Sequence, residues 1–122
     1  MTFLFSYANT FIGDVSNWDV SRVKDMSAMF LYAREFNGEI SKWDVSSAIT
    51  MSHMFNSATS FNRDLSNWDV SRVSNMNYMF WQATSFKQQL CRAPWINSEA
   101  TKMKIFTGSR GSMSKIVCSA VL

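Results

Sequence analysis

The octapeptide SNWDVSRV stands at residues 16–23 and returns at 66–73, with SKWDVSSA at 41–48 midway between, so one phrase recurs at a fixed spacing of 25. Laid out in rows of that length, the chain falls into columns. Met1, Met26, Met51 and Met76 align, followed by Leu4, Met29, Met54 and Met79, and by Phe5, Phe30, Phe55 and Phe80. Ala8, Ala33, Ala58 and Ala83 come next, then Phe11, Phe36, Phe61 and Phe86, then Val15, Ile40, Leu65 and Leu90. Trp18, Trp43 and Trp68, and Val20, Val45 and Val70, complete the set. A period in the range of about 20–50 residues marks a solenoid, in which each unit buries its apolar face only by stacking on its neighbours.

Within each repeat two elements are expected. Val23, Met26, Met29, Phe30 and Ala33 are spaced by three and four, the stripe of a helix. Asp25, Thr50 and Asn75 precede the column methionines and carry the short side-chain oxygen of a helix cap, which predicts short helices ending near Ala33, Ala58 and Ala83. DVSNWDVS and its copies alternate imperfectly, as in a short strand containing a turn. A rival frame puts Met26 and Met29 on a strand, as in plant-type leucine-rich repeats. Beyond Leu90 the pattern decays: a two-residue insertion aligns Trp95 with the tryptophans, Met103 with the methionine column and Phe106 with Met79. The expected organisation is a solenoid over 1–90, in repeats of about 1–25, 26–50, 51–75 and a partial 76–90, then a degenerate last repeat and basic cap over 91–122.

The 47% hydrophobic content is ample for a core. No stretch reaches the roughly 18 apolar residues of a membrane span. MTFLFSYANTF has no basic head, long apolar run or small-residue cleavage site and begins in mid-pattern, so the expectation is a mature or truncated product, or a chain without a separate N-terminal cap. Residues 1–86 carry six basic and eight acidic side chains, whereas 87–122 carry six basic and one acidic, so the net charge of +3 belongs to the tail. The basic residues lie outside the aromatic-bearing repeats, which argues against nucleic-acid binding.

Catalysis finds no support. His53 is the only histidine and has no nucleophile beside it in any known pattern; cysteine-pair motifs and phosphate loops are absent. No cofactor is implied. Stacking would put Asp19, Asp44 and Asp69 in one ladder, and Asp14, Glu39 and Asp64 in another, at the strand spacing of about 4.8 Å. Bare carboxylates that close repel by roughly 3.5 kcal/mol at an effective dielectric of about 20. An Asx-turn, in which each acid accepts backbone N–H bonds and Ser21, Ser46 or Ser71 closes the turn, offsets this better than calcium, since no D-x-D-x-D loop is present. Trp18, Trp43 and Trp68 are expected in the core. Tyr7, Tyr32, Asn56 and Trp81 lie in columns whose content varies, the place where a solenoid encodes a protein or glycan partner. Cys91 and Cys118 bracket the cap; in a secreted protein they would form a disulfide worth on the order of 3 kcal/mol, and in a cytosolic one they would be small apolar residues.

The phrase M-x-x-M-F-x-x-A-x-x-F-N-x-[DE]-[ILV]-S-x-W-D-V-S-x-V resembles the repeat of the BspA-like leucine-rich-repeat surface proteins, the form found in mycoplasma lipoproteins and many protist proteins. The resemblance covers residues 1 to about 106, with departures at Ala48 and from FKQQLCRAPW onward. It implies an α/β repeat fold, a right-handed leucine-rich-repeat-like solenoid of short strands and short helices. It also implies a non-enzymatic interaction or adhesion role at the cell surface or outside the cell. The alternative is a structural accessory subunit docked in a larger assembly.

Overall fold

The computed structural model describes residue 8 and residues 10–114. Regular elements are few: β1 (Gln89–Leu90), α1 (Ala93–Ile96) and β2 (Ser112–Met113). β1 and β2 pair in parallel, with Gln89 opposite Ser112 and Leu90 opposite Met113. Single parallel bridges join Asp25 to Thr50, Thr50 to Asn75, and Asn75 to Thr101, so one position per repeat is paired to its equivalent in the next.

The helices expected over 25–33, 50–58 and 75–83 do not form; each segment is a run of tight turns. Alternate amides leave the segment altogether. The N–H groups of Met51, His53, Phe55 and Ser57 donate to the carbonyls of Asn75, Asn77, Met79 and Trp81 in the following coil, at 2.7–3.0 Å. The amides between them fold back: Met54, Asn56 and Ala58 donate to Met51, His53 and Phe55, closing three-residue steps. Left-handed residues make this possible, at φ 56° for Ala28 and 59° for Tyr32, 58° for His53 and 61° for Ser57, 60° for Tyr78 and 57° for Gln82. A residue with φ > 0 at the third place of a four-residue turn is the type II geometry. The caps also act differently from expectation. Asp25 and Asn75 accept the amide two residues on, from Ser27 and Asn77, both at 2.9 Å, an Asx-turn that competes with a helix instead of starting one. Because the left-handed residues recur every four positions, the ribbon turns its apolar side chains inward at nearly the helical period.

Stacked coils put like on like. Phe30, Phe55, Phe80 and Phe106 form one column with ring centroids 5.5–5.6 Å apart. Phe11, Phe36, Phe61 and Phe86 form a second, at 5.9–6.1 Å, touching the first inside each coil. The methionine, alanine and valine columns fill the rest of the interior. Burial of this uninterrupted apolar column adds to the stability of the coil-to-coil backbone bonds.

The tryptophans lock one coil to the previous one. The Nε1–H groups of Trp43, Trp68 and Trp95 donate to the carbonyls of Val15, Ile40 and Leu65 at 3.0, 3.0 and 2.9 Å. Each of these carbonyls also accepts the amide three residues on, from Trp18, Trp43 or Trp68. Trp95 thus fills the tryptophan column, on the single helical turn α1, where Pro94 sits in the first turn. The register beyond it differs from the sequence expectation by one residue. Thr101 bridges Asn75, Ile105 takes the place of Met79, and Phe106 stacks on Phe80, while Met103 is 58% exposed. The segment from Trp95 to Thr101 is one residue shorter than that from Trp68 to Asn75, which reduces the two-residue insertion to one. Lys102 therefore stands where Met76 is buried, and its Nζ donates to the carbonyls of Ser98 and Ala100 at 2.8 and 3.0 Å.

Candidate functional site

The recurring polar residues are engaged in building the corners. Asp19, Asp44 and Asp69 each accept the backbone N–H and the hydroxyl of Ser21, Ser46 and Ser71, at 3.0–3.1 Å and 2.6 Å. Asp14, Glu39 and Asp64 accept the amides of Ser16, Ser41 and Ser66 in the same way. The serine bonds hold the carboxyls of Asp19, Asp44, Asp69 and Glu39 below the ordinary range. Repulsion up the ladder, of Asp19 on Asp44 and Asp44 on Asp69, is the least of the effects on those two, because the acids are exposed and water screens them. Among the described residues no three His, Cys, Asp or Glu side chains gather at one point.

The three tryptophans divide. Trp43 and Trp68 are buried, whereas Trp18, on the first described coil, is 40% exposed. The variable columns are partly exposed in two coils and buried in the one between. Tyr32 and Trp81 are half-buried, and the Arg34 guanidinium lies 6.0 Å from the Tyr32 ring. Tyr7 lies outside the described residues. Asn56 is not partner-facing surface: it is buried, its amide donates to His53 Nδ1 at 2.8 Å, and its Oδ1 accepts the Ser57 hydroxyl at 2.8 Å. His53 stacks on Tyr78 with centroids 4.8 Å apart, and burial lowers its pKa. The Tyr78 hydroxyl reaches the exposed Met103 Sδ at 3.5 Å. His53 and Tyr78 are thereby held as a stacked pair on backbone fixed from coil to coil.

Cys91 is disulfide-bonded, immediately after β1; Cys118 lies outside the described residues. Two grooves lie near the last coil. One, of about 620 Å³, runs between the Ser71–Ser74 corner and α1, with Arg72 and Glu99 on its walls. The other, of about 480 Å³, is lined by Asn37, Asn62, Lys87, Arg110 and three hydroxyl side chains. None of the site residues expected from the sequence lies on this second groove. Its signal is present in the columns: Asn37 and Asn62 are followed by Lys87, and Asp14, Glu39 and Asp64 by Gln89.

Among the described residues no helix is long and apolar enough to cross a membrane. Comparison with curated proteins and with solved structures finds no match. One family model matches, over residues 1–117, which take in all of the stacked coils described above. The chain belongs to that family, described as Mycoplasma protein of unknown function, DUF285.

Proposed function

We propose that this chain is a non-enzymatic recognition or adhesion module of a secreted or surface-displayed protein, built as a leucine-rich-repeat-like solenoid of the BspA-like kind, with a protein or glycan partner. The observation that carries it is the division of labour between columns. The recurring Asp, Ser and Trp side chains are bonded internally, while partly exposed positions change from Tyr32 to Gln82 and from Leu31 to Trp81, with the buried Ser57 and Asn56 in the coil between them. A fixed frame with a varied outer surface is what an interaction scaffold needs. The disulfide at Cys91 fits an oxidising compartment. The test is attachment of beads coated with the full chain to cultured cells and to an array of matrix proteins. Saturable attachment that falls about tenfold or more in the Tyr32→Ser, Trp81→Ser double variant supports the proposal, as expected for aromatic hot spots. Attachment that is unsaturable, or unchanged in the variant, refutes it.

A docked accessory subunit is the second reading, favoured by the last coil. The amides of Lys102, Lys104, Phe106 and Gly108, whose counterparts in earlier coils donate to the next one, make no hydrogen bond. Such an edge is a template for another chain. Obligate co-purification with one partner, and aggregation without it, would favour this reading; a soluble monomer on size exclusion would favour the recognition module.

A further inference from the structure

The edge of the stack that carries Asn37 and Asn62 changes sign at the last coil. Earlier coils balance it: Arg63 pairs with Glu39 at 3.6 Å, the sole ion pair among the described residues. At the next coil the acid column becomes Gln89, the asparagine column becomes Lys87, and Arg110 arrives from the turn beyond. Glu35 stands in the column of Ser60 and Ser85, one coil before the first and two before the second, and is not on the groove wall. Neither Lys87 nor Arg110 has an acidic partner.

The neutral groups point the same way. Asn37 Oδ1 accepts the Asn62 amide at 2.8 Å, and Asn62 Oδ1 accepts the Lys87 amide at 3.0 Å and Gln88 Nε2 at 2.9 Å. Both carboxamides are therefore anchored by their oxygens, and their NH₂ groups make no hydrogen bond. The hydroxyls of Ser60, Thr84 and Ser85 are likewise without a partner. Two fixed amide donors, two unpaired cations and free hydroxyls share a groove that has no carboxylate. A ligand that fits must be rich in acceptors and negatively charged. No aromatic side chain lines the groove, so nucleic-acid bases would find nothing to stack on.

We propose that this groove binds an anionic oligosaccharide, its sulfate or carboxylate groups on Lys87 and Arg110 and its ring oxygens and hydroxyls on Asn37 and Asn62. Neither Tyr32 nor Trp81 lines the groove, so either claim can fail without the other.

The experiment is isothermal titration of the full chain at about 150 mM salt, where exposed charges more than a Debye length apart are largely screened. The probes are a short heparin-derived oligosaccharide, its desulfated form, and a single-stranded oligonucleotide of matching charge. The heparin fragment is expected to bind saturably, and the desulfated form at least tenfold more weakly. The Lys87→Gln, Arg110→Gln double variant should lose about tenfold or more, since these side chains are not part of the fold's hydrogen bonding. The Arg22→Gln, Lys24→Gln variant removes the same charge elsewhere and should bind as the parent does. Absence of saturable binding, equal losses in the two double variants, or equally tight binding of the oligonucleotide would each overturn the proposal. Loss of sugar binding with bead attachment intact in the Lys87→Gln, Arg110→Gln variant leaves the adhesion claim at Tyr32 and Trp81 standing, so the two claims are judged apart.

Discussion

Replacing Trp68 by Phe tests how the coils are locked together. Trp68 is 1% exposed, and its indole N–H meets the Ile40 carbonyl of the preceding coil at 3.0 Å. The benzyl ring leaves a space of about 40 Å³, worth about 1 kcal/mol at the usual price of cavity volume. The lost bond adds to this, though not at the full value of an orphaned group. Ile40 O still accepts the Trp43 amide at 3.1 Å, so one lone pair stays satisfied and the cost is near the lower end, about 1 kcal/mol. The total is about 2 kcal/mol, readable as a shift in the urea midpoint followed by near-UV circular dichroism. Trp18→Phe, at a position 40% exposed, should lose less than about 1 kcal/mol. A loss below about 1 kcal/mol in Trp68→Phe would refute the claim that the indole ladder, and not aromatic bulk alone, joins successive coils.

Glutamine-to-glycine exchange at Gln82, where φ is 57°, should leave stability unchanged or raise it by up to about 1 kcal/mol, whereas a helix would lose about that much; urea unfolding distinguishes the signs. Gly111→Ala should lose about 1–3 kcal/mol on the same assay, because a Cβ there runs into the Phe86 ring, which is fully buried. Stability should fall with pH in two steps. Burial makes folded His53 hold its proton less tightly than the unfolded chain, so its contribution is complete above the ordinary value of 6.5 and fades as pH falls through the lower folded value. His53→Phe should remove that step alone. The serine-bonded carboxyls of Asp44 and Asp69 are also lowered, so their contribution is complete above 3.8 and lost only at still lower pH, as thermal unfolding across a pH series would reveal.

The columns that the sequence makes plain are those fixed by burial. Met54, Phe55, Phe61 and Leu65 recur because a stack of identical coils demands one residue size at each inward place, and all four are fully buried. The corner chemistry was equally legible, since Asp followed by Ser two residues on is a local device that depends on nothing distant. What misleads is the ribbon. Apolar spacing of three and four carries no information about the sign of φ, and a left-handed residue every fourth position mimics a helix that tertiary hydrogen bonds then forbid. The groove at Lys87 is a second case. Arg110 reaches it from beyond the degenerate coil, and alignment by apolar columns alone placed that coil one residue out of register. At Asn56 the reason is different: variation between repeats shows that a column is permissive, but in this coil the side chain is buried and held by hydrogen bonds to His53 and Ser57.

The central structural claim is that alternate amides of each ribbon belong to the next coil, and scalar couplings across hydrogen bonds read it directly. A long-range HNCO spectrum of isotope-labelled protein should correlate the Phe55 amide nitrogen with the Met79 carbonyl carbon, and the Phe80 nitrogen with the Ile105 carbonyl, bonds of 2.8 and 2.9 Å. Correlations from Phe55 to Met51 and from Phe80 to Met76 instead, the four-residue step of a helix, would contradict the stacked-ribbon architecture and with it the surfaces proposed for recognition.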